Sequence, residues 1–447
     1  MCWIPISAEE KKEMLSSIGV ENFAELISSI PPQIRIKRPL DLPPPLSEIE
    51  VSTLMRGISE ENDDLDHHLS FLGGGAYDHW VPAAVSSIIE RSEYYTSYTP
   101  YQAEVSQGTL QAIYEYQSLI CELTGMDVAN ASMYDGASAT AEAALMAHSI
   151  TGRDVIIASE GLNPAYYQVL KTYTRGLGLK VQRVPLSAGR TDWDRLEGML
   201  DEKVASVVIQ NPNFLGAVED LSQTAGLVHR IGALLIMVVD PISLGILKPP
   251  GKYGADIAVG EGQPLGNPTS FGGPYLGFFT CQREFLRQMP GRLVGATTDS
   301  EGRKGFVLTL QTREQHIRRE RATSNICTSE ALNALAAAVY LTLLGREGMR
   351  DLALLCLQKS HYTQRQIAEI GDFQLGYSAP FFKEFTIVPP ISSERVIVSL
   401  AQQGIFVGPD LARFGIGKGF LVATTEKRSK EEIDLLIAGL KEIAGGG

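Results

Sequence analysis

Between residues 154 and 240 short apolar runs alternate with segments of helical length, in the order DVIIAS, PAYYQVLKTYTRGLG, KVQRVPL, DWDRLEGMLDE, VASVVIQ and ALLIMVVD. Continuous apolar runs this short, rich in Val and Ile, read as strands buried on both faces rather than as half-exposed antiparallel ribbons. Helical segments between them require right-handed crossovers, so the chain is expected to build a mostly parallel sheet with helices on both sides. Ligands bind such sheets beyond the carboxyl ends of the strands. The run at 234–239 ends in Asp240 and places a carboxylate at that edge.

A second short strand, 256–259, is expected to follow, leading into a loop that carries Gly260, Gly262, Gly266, Gly272 and Gly273 and so allows close backbone approach. Upstream, MYDGASATAEAALMA turns at Asp135 and Gly136 into an Ala-rich helix, whose first free amides, at Ala137 and Ser138, suit an anion such as phosphate. A plain capped helix explains the same residues, and Glu142 in the second turn counts against an anion. The order strand, Asp, strand, glycine loop resembles fold-type I enzymes that use pyridoxal 5'-phosphate (PLP). In that class the Asp pairs with the pyridinium nitrogen, the helix N-terminus holds the phosphate, and a loop lysine forms the Schiff base. Here no lysine occurs from 259 to 281, and Lys248 and Lys252 precede the strand rather than follow it.

The chain has 447 residues and a net charge of -13, which argues against a nucleic-acid footprint. Its five cysteines, Cys2, Cys121, Cys281, Cys327 and Cys356, form no CxxC pair, and no metal cluster emerges from their spacing. No apolar run approaches the roughly 20 residues that span a bilayer, and the N-terminus lacks a basic segment followed by an apolar core, so a cytoplasmic location is expected.

Residues 7–30 read as helices opened by a Ser7/Glu10 capping box and broken at Gly19, and Ser47 with Glu50 opens another capped helix. Between them PPQIRIKRPLDLPPPL, residues 31–46, holds too many prolines for a helix or central strand and reads as an extended arm. Thr328 is expected to cap an apolar helix ending at Gly345, and beyond it lies a small α+β unit whose last helix is capped by Ser429 and Glu432. The expected organisation is N-terminal helices and arm (1–70), a large α/β domain (71–345) and a small C-terminal α+β domain (346–447).

In residues 93–116 Tyr94, Tyr95, Tyr98 and Tyr101 flank Pro100 in a stretch expected to be irregular, where massed phenols serve recognition through apolar faces and a hydroxyl. This stretch, with FLGGGAYDHWVP, LTGMDVANASMYDGASATAEA, QNPNFLGAVED, GEGQPLGNP and TREQHIRRERATSNICT, resembles the P-protein family of the glycine cleavage system, glycine dehydrogenase (decarboxylating), from about residue 16 to 439. In some members two homologous halves are separate chains and only the second has the lysine. The present chain is similar to the first, with Pro264 falling near the lysine position. The resemblance implies PLP-dependent decarboxylation of glycine, release of carbon dioxide, and transfer of the aminomethyl group to the lipoyl arm of H-protein, with PLP held covalently by subunit 2 and not by this chain. It implies an α2β2 heterotetramer in which this chain is inactive alone.

On that basis Tyr95, Ser97, Tyr98, Thr99 and Tyr101 are the expected contribution to the partner's catalytic site, with Glu104 as support. Thr323, Ser324 and Asn325 are second candidates for contact with the partner's cofactor across the interface. Ala137, Ser138 and Asp240 would be a vestige of this chain's own cofactor site, with Asp135 and Asn163 kept for structure. Arg313, Arg318, Arg319 and Arg321 read as a solvated helix face paired to Glu314 and Glu320 rather than a docking patch. Two rival readings are an autonomous PLP enzyme using Lys248 or Lys252, and a structural or regulatory scaffold.

Overall fold

The computed structural model describes residues 5–38 and 40–445, so Cys2 and Pro39 lie outside the described residues. Residues up to Asp63 form one unit and those from Asp64 onward another. In the first unit Ala8–Ile18 begins with the expected Ser7/Glu10 capping box and ends at Gly19 in the left-handed region. Glu48–Ser59 begins with the Ser47/Glu50 box. Neither helix buries a residue, and in the proline-rich segment between them Ile34, Ile36 and Leu42 are all exposed.

The second unit is built on a seven-stranded sheet. Its strands are β1 (Val128–Ala129), β2 (Val155–Ser159), β3 (Lys180–Val184), β4 (Val204–Asn211), β5 (Leu234–Val239), β6 (Ile257–Glu261) and β7 (Gly277–Cys281). The spatial order is β1-β7-β6-β5-β4-β2-β3. Strands β2 to β6 run parallel, and β7 is antiparallel to β6 and to β1. The expected parallel sheet is therefore present, with the strand after Asp240 shifted a residue or two to Ile257–Glu261.

Both faces of the sheet are covered at its centre, which is why β2, β4, β5 and β6 are mostly apolar, whereas the edge strand β3 is largely exposed and carries Lys180, Gln182 and Arg183. Leu235, Met237 and Val239 of β5 point into one core with the helices Gln107–Thr124 and Ala331–Ala368. Leu234, Ile236 and Val238 point into the other, against Gly136–Thr151 and Pro164–Arg175. Alanines at 139, 141, 143, 144 and 147 let Gly136–Thr151 lie flush on the sheet. Truncating a fully buried residue such as Ile236 to Ala would cost about 2–5 kcal/mol.

Within Ala331–Ala368 two helices meet at Gly345, whose non-helical φ of 58° a side chain would resist, so the first helix stops at Gly345 as expected and a second runs on from it. Thr328 does not cap the first helix. The cap position is Glu330, which makes no side-chain capping bond. Downstream, Glu384–Val388 pairs antiparallel with Phe420–Ala423, and Ile405–Gly408 pairs parallel with Leu69–Leu72. The chain at 69–72 thus completes the C-terminal layer. Ser429 and Glu432 form the expected reciprocal cap of the last helix.

Candidate functional site: the Asp240 pocket and the tyrosine-loop cleft

Asp240 stands at the carboxyl end of β5, half-buried, and accepts the Ile242 amide at 3.0 Å. Its other oxygen meets the ammonium of Lys383 at 2.8 Å. Lys383, only 2% exposed, comes from the segment just before Glu384–Val388. Its three N–H groups are accounted for by Asp240, by His79 Nε2 at 3.0 Å, and by the face of Tyr77 at 3.7 Å from the ring centroid. Facing an ammonium, His79 Nε2 must be the acceptor, so Nδ1 carries the proton donated to Glu426 at 2.7 Å. Tyr77 donates its hydroxyl to Glu384 at 2.9 Å, and Glu384 also accepts the Gly74 amide at 2.6 Å. Burial pushes the Glu384 carboxyl up to about 7 despite those donors and the Lys383 charge.

The helix N-terminus nearby is equally occupied. Asp135 accepts the Ser138 amide at 2.6 Å, and Glu261 at the end of β6 accepts the amides of Gly136, Gln263 and Leu276, each at 3.0 Å. Burial pushes Glu261 up to about 8 against the pull of these amides. A Cβ placed on Gly136 would lie 2.3 Å from the Tyr166 hydroxyl and 2.9 Å from the Glu261 nitrogen. A phosphate is far larger than a methyl group, and the Gly136 and Ser138 amides that would hold it are already taken by Glu261 and Asp135, so it does not fit here. With an ammonium where a pyridinium would sit, and Pro264 rather than an amine in the pocket wall, the residues of this pocket do not fit PLP. Asn163 caps Pro164–Arg175 and donates to Gly74 O at 2.8 Å, a positioning bond of the same wall. Lys248 lies over the Tyr253 ring at 4.3 Å.

The tyrosine stretch is different. After the short helix Ser92–Tyr95 the chain is irregular to the turn Ala103–Val105, as Pro100 demands. Ser97, Tyr98, Thr99 and Pro100 border an open cleft of about 740 Å³ whose remaining walls include Arg292, Leu308, Thr328, Ser329 and Glu330. Tyr98 is 84% exposed. Tyr95 and Tyr101 are not among the lining residues. Tyr101 instead accepts from Arg292 Nη2 at 3.0 Å and meets the His316 ring edge-on at 5.6 Å. Glu104 is exposed.

The second candidates fall short of the cleft and hold their own segment together. The Thr323 amide donates to Arg313 O, Ser324 Oγ accepts the Ile326 amide, and Asn325 accepts from Gln315. The residues that do reach the cleft, Thr328 to Glu330, come slightly later in the same run. Arg313 is not part of a solvated face. It is buried and donates to the carbonyls of Met289, Gly291 and Leu310. Arg318 and Arg319 are exposed, Arg321 lies 3.9 Å from Glu320, and Glu314 pairs with Arg292 instead.

The chain matches the family Glycine cleavage system P-protein over residues 1–440. It belongs to that family. A protein of Chlorobium limicola named "Probable glycine dehydrogenase (decarboxylating) subunit 1" is 54% identical over 441 residues, covering 98% of this chain and 99% of its own. One of the same name from Carboxydothermus hydrogenoformans is 51% identical over 448 residues, covering 100% of both. Among solved structures, an inhibitor-bound glycine decarboxylase (P-protein) of the glycine cleavage system superposes with a TM-score of 0.92 at 45% identity, covering 99% of this chain and 100% of that one. An alanine–glyoxylate aminotransferase from Nostoc, at 18% identity and a TM-score of 0.60, shares the fold. These P-protein relatives span the same length, so the Asp240 pocket and the tyrosine-loop cleft lie inside the region of likeness.

His79, Glu426, Lys383, Glu384 and Glu261 were not singled out from sequence. Only Glu261 carried a local signal, as a carboxylate at the end of a buried strand. Lys383 sits more than a hundred residues from Asp240 and had none. Among the described residues no helix is long and apolar enough to cross a membrane.

Proposed function

We propose that this chain is the lysine-lacking subunit of a two-subunit glycine decarboxylase of the glycine cleavage system, working in the cytoplasm as an α2β2 assembly. The homologous second subunit holds PLP on its lysine, and when bound there the ring supplies the electron sink for loss of carbon dioxide from glycine. The aminomethyl group then passes to the lipoyl arm of H-protein. The observation that carries this reading is the contrast between the two sites: Lys383 already supplies the counter-charge to Asp240 in this chain's own pocket, while the cleft at Ser97, Tyr98 and Thr99 presents exposed hydroxyls of Ser97 and Tyr98. In this reading the cleft faces the partner's cofactor, and its hydroxyls orient the substrate and exclude water. The exposed helices and arm of the first unit, with Ile34, Ile36 and Leu42, would be covered by the partner. A pure scaffold would not need an open cleft walled by Ser, Thr and Tyr.

The test is exchange of labelled bicarbonate into glycine with H-protein present, on intact, PLP-loaded heteromers carrying Tyr95→Phe, Tyr98→Phe or Tyr101→Phe. Loss of one preorganised donor costs about 100- to 1,000-fold in turnover. Tyr98, as the phenol bordering the cleft, is expected to carry the effect. Wild-type exchange in all three variants would favour the scaffold.

A further inference from the structure

The walls of the tyrosine-loop cleft include one cation, Arg292, and one carboxylate, Glu330. Arg292 is 6% exposed, and its Nε has no hydrogen-bond acceptor. Its Nη2 is fixed from behind by Tyr101 Oη at 3.0 Å, with the Tyr101 ring 5.4 Å from the guanidinium carbon. The Glu314 carboxylate lies 3.5 Å from Nε, an ion-pair distance at which no hydrogen bond forms, and Glu314 Oε1 is itself without a partner. Nε is turned to Glu314 and away from solvent, so it is the rest of the guanidinium that borders the cleft, and a guanidinium held rigid by an aromatic hydroxyl is already oriented for a planar acceptor. Resting on the function proposed above, we propose that Arg292 anchors the carboxylate of the amino-acid substrate in this cleft.

The surroundings suit a carboxylate that must leave as neutral carbon dioxide. A fully exposed arginine charge would hold the charged ground state too well and raise the barrier to its loss. Glu314 offsets part of the Arg292 charge, and Ile113, Leu308 and Leu332 contribute apolar wall that favours the neutral product. Arg292 therefore fixes the direction of the carboxylate more than it stabilises its charge. Tyr101, outside the cleft, is a positioning residue that acts through Arg292.

The experiment uses the intact heteromer with the two halves of glycine as probes. Acetate carries only the carboxylate and methylamine only the amine, and each is followed by its NMR line broadening and as a competitive inhibitor of exchange. Arg292→Met is expected to weaken acetate about tenfold or more, the scale of one charge-assisted hydrogen bond, and to leave methylamine unchanged. KM for glycine should rise in step while kcat changes less. Arg292→Lys, which keeps the charge but loses the planar fork, should fall between wild type and Arg292→Met, and it serves alone if the methionine variant fails to assemble. Equal loss of acetate and methylamine, or no loss of either, would overturn the proposal. So would loss of inorganic phosphate binding with acetate unaffected, which would make Arg292 a phosphate ligand. A wild-type heteromer that binds acetate through Arg292 but performs no exchange would defeat the proposed function and leave the anchor standing.

Discussion

Replacing Lys383 with methionine leaves an unbranched side chain of similar volume, one heavy atom shorter, and removes the charge and donors. At 2.8 Å and an effective dielectric constant of about 20, the attraction between Lys383 and Asp240 is about 6 kcal/mol. Much of that offsets desolvation of the two groups, because Lys383 is 2% exposed. The single substitution also strands Asp240, as well as the His79 acceptor and the Tyr77 face, and breaking one side of such a pair costs about 3–5 kcal/mol. Asp240→Asn should cost a similar amount by stranding the ammonium. The double variant leaves neither charge uncompensated, so it should lose clearly less than the sum of the singles, with a coupling of up to about 3 kcal/mol. The assay is a double-mutant cycle of urea unfolding on the heteromer, with slopes compared to confirm that the transition itself is unchanged. Strict additivity, or a Lys383→Met protein as stable as wild type, would refute the argument that the ammonium is the counter-charge to Asp240 in this pocket.

Borohydride reduction of the PLP-loaded heteromer should leave a pyridoxyl-lysine peptide in the second subunit only; a labelled peptide containing Lys248, Lys252 or Lys383 of this chain would contradict this reading of the Asp240 pocket. Burial raises Glu142 to about 7, so between its ordinary value of 4.5 and 7 the folded state holds a proton that the unfolded state releases. Its stability contribution is therefore complete below about 4.5 and is lost as pH rises through 7, amounting to about 3 kcal/mol. Glu384 and Glu261 act in the same direction. The unfolding midpoint should fall from pH 5.5 to 8.5, and less steeply in Glu142→Gln; equal slopes would defeat this. Deleting residues 5–46 should leave the second unit folded by circular dichroism but shift the subunit dissociation constant upward, measured by analytical ultracentrifugation.

The sheet was legible because every strand of its centre is a both-faces-buried run, and burial on both faces leaves only one reading of ALLIMVVD or VASVVIQ. The capping boxes at Ser7, Ser47 and Ser429 were legible because their partners lie three residues away. Thr328 misled for the same local reason: a hydroxyl ahead of an apolar run looks like a cap, but Thr328 is drawn into the cleft wall and the helix starts at Ala331. Arg313 sat among charges that suggested a solvated face, and only the fold shows three backbone carbonyls converging on it.

The Asp240 pocket shows what a local reading omits. Absence of a lysine after β6 is visible in one line of sequence, and it implies loss of covalent attachment but says nothing of what becomes of the carboxylate at Asp240. An unpaired Asp at the end of a buried strand would be expensive, so losing the cofactor's positive ring demands either a neutral residue there or a new cation. This chain took the second course, with a lysine delivered by the C-terminal layer and packed on an aromatic face. The anion end follows the same logic: Asp135 and Glu261 take the helix amides that a phosphate would need. A pocket filled at both ends by its own side chains is rigid, which suits the proposed role of this subunit at the partner's site. That yields a last prediction. If Lys383 fills a cation site, then Lys383→Ala, which leaves a hole lined by Asp240, Tyr77 and His79, should regain stability when ethylammonium is added, while wild type does not respond. Equal response of both proteins, or none in the variant, would show that the site needs the tether and packing of Lys383 rather than its charge.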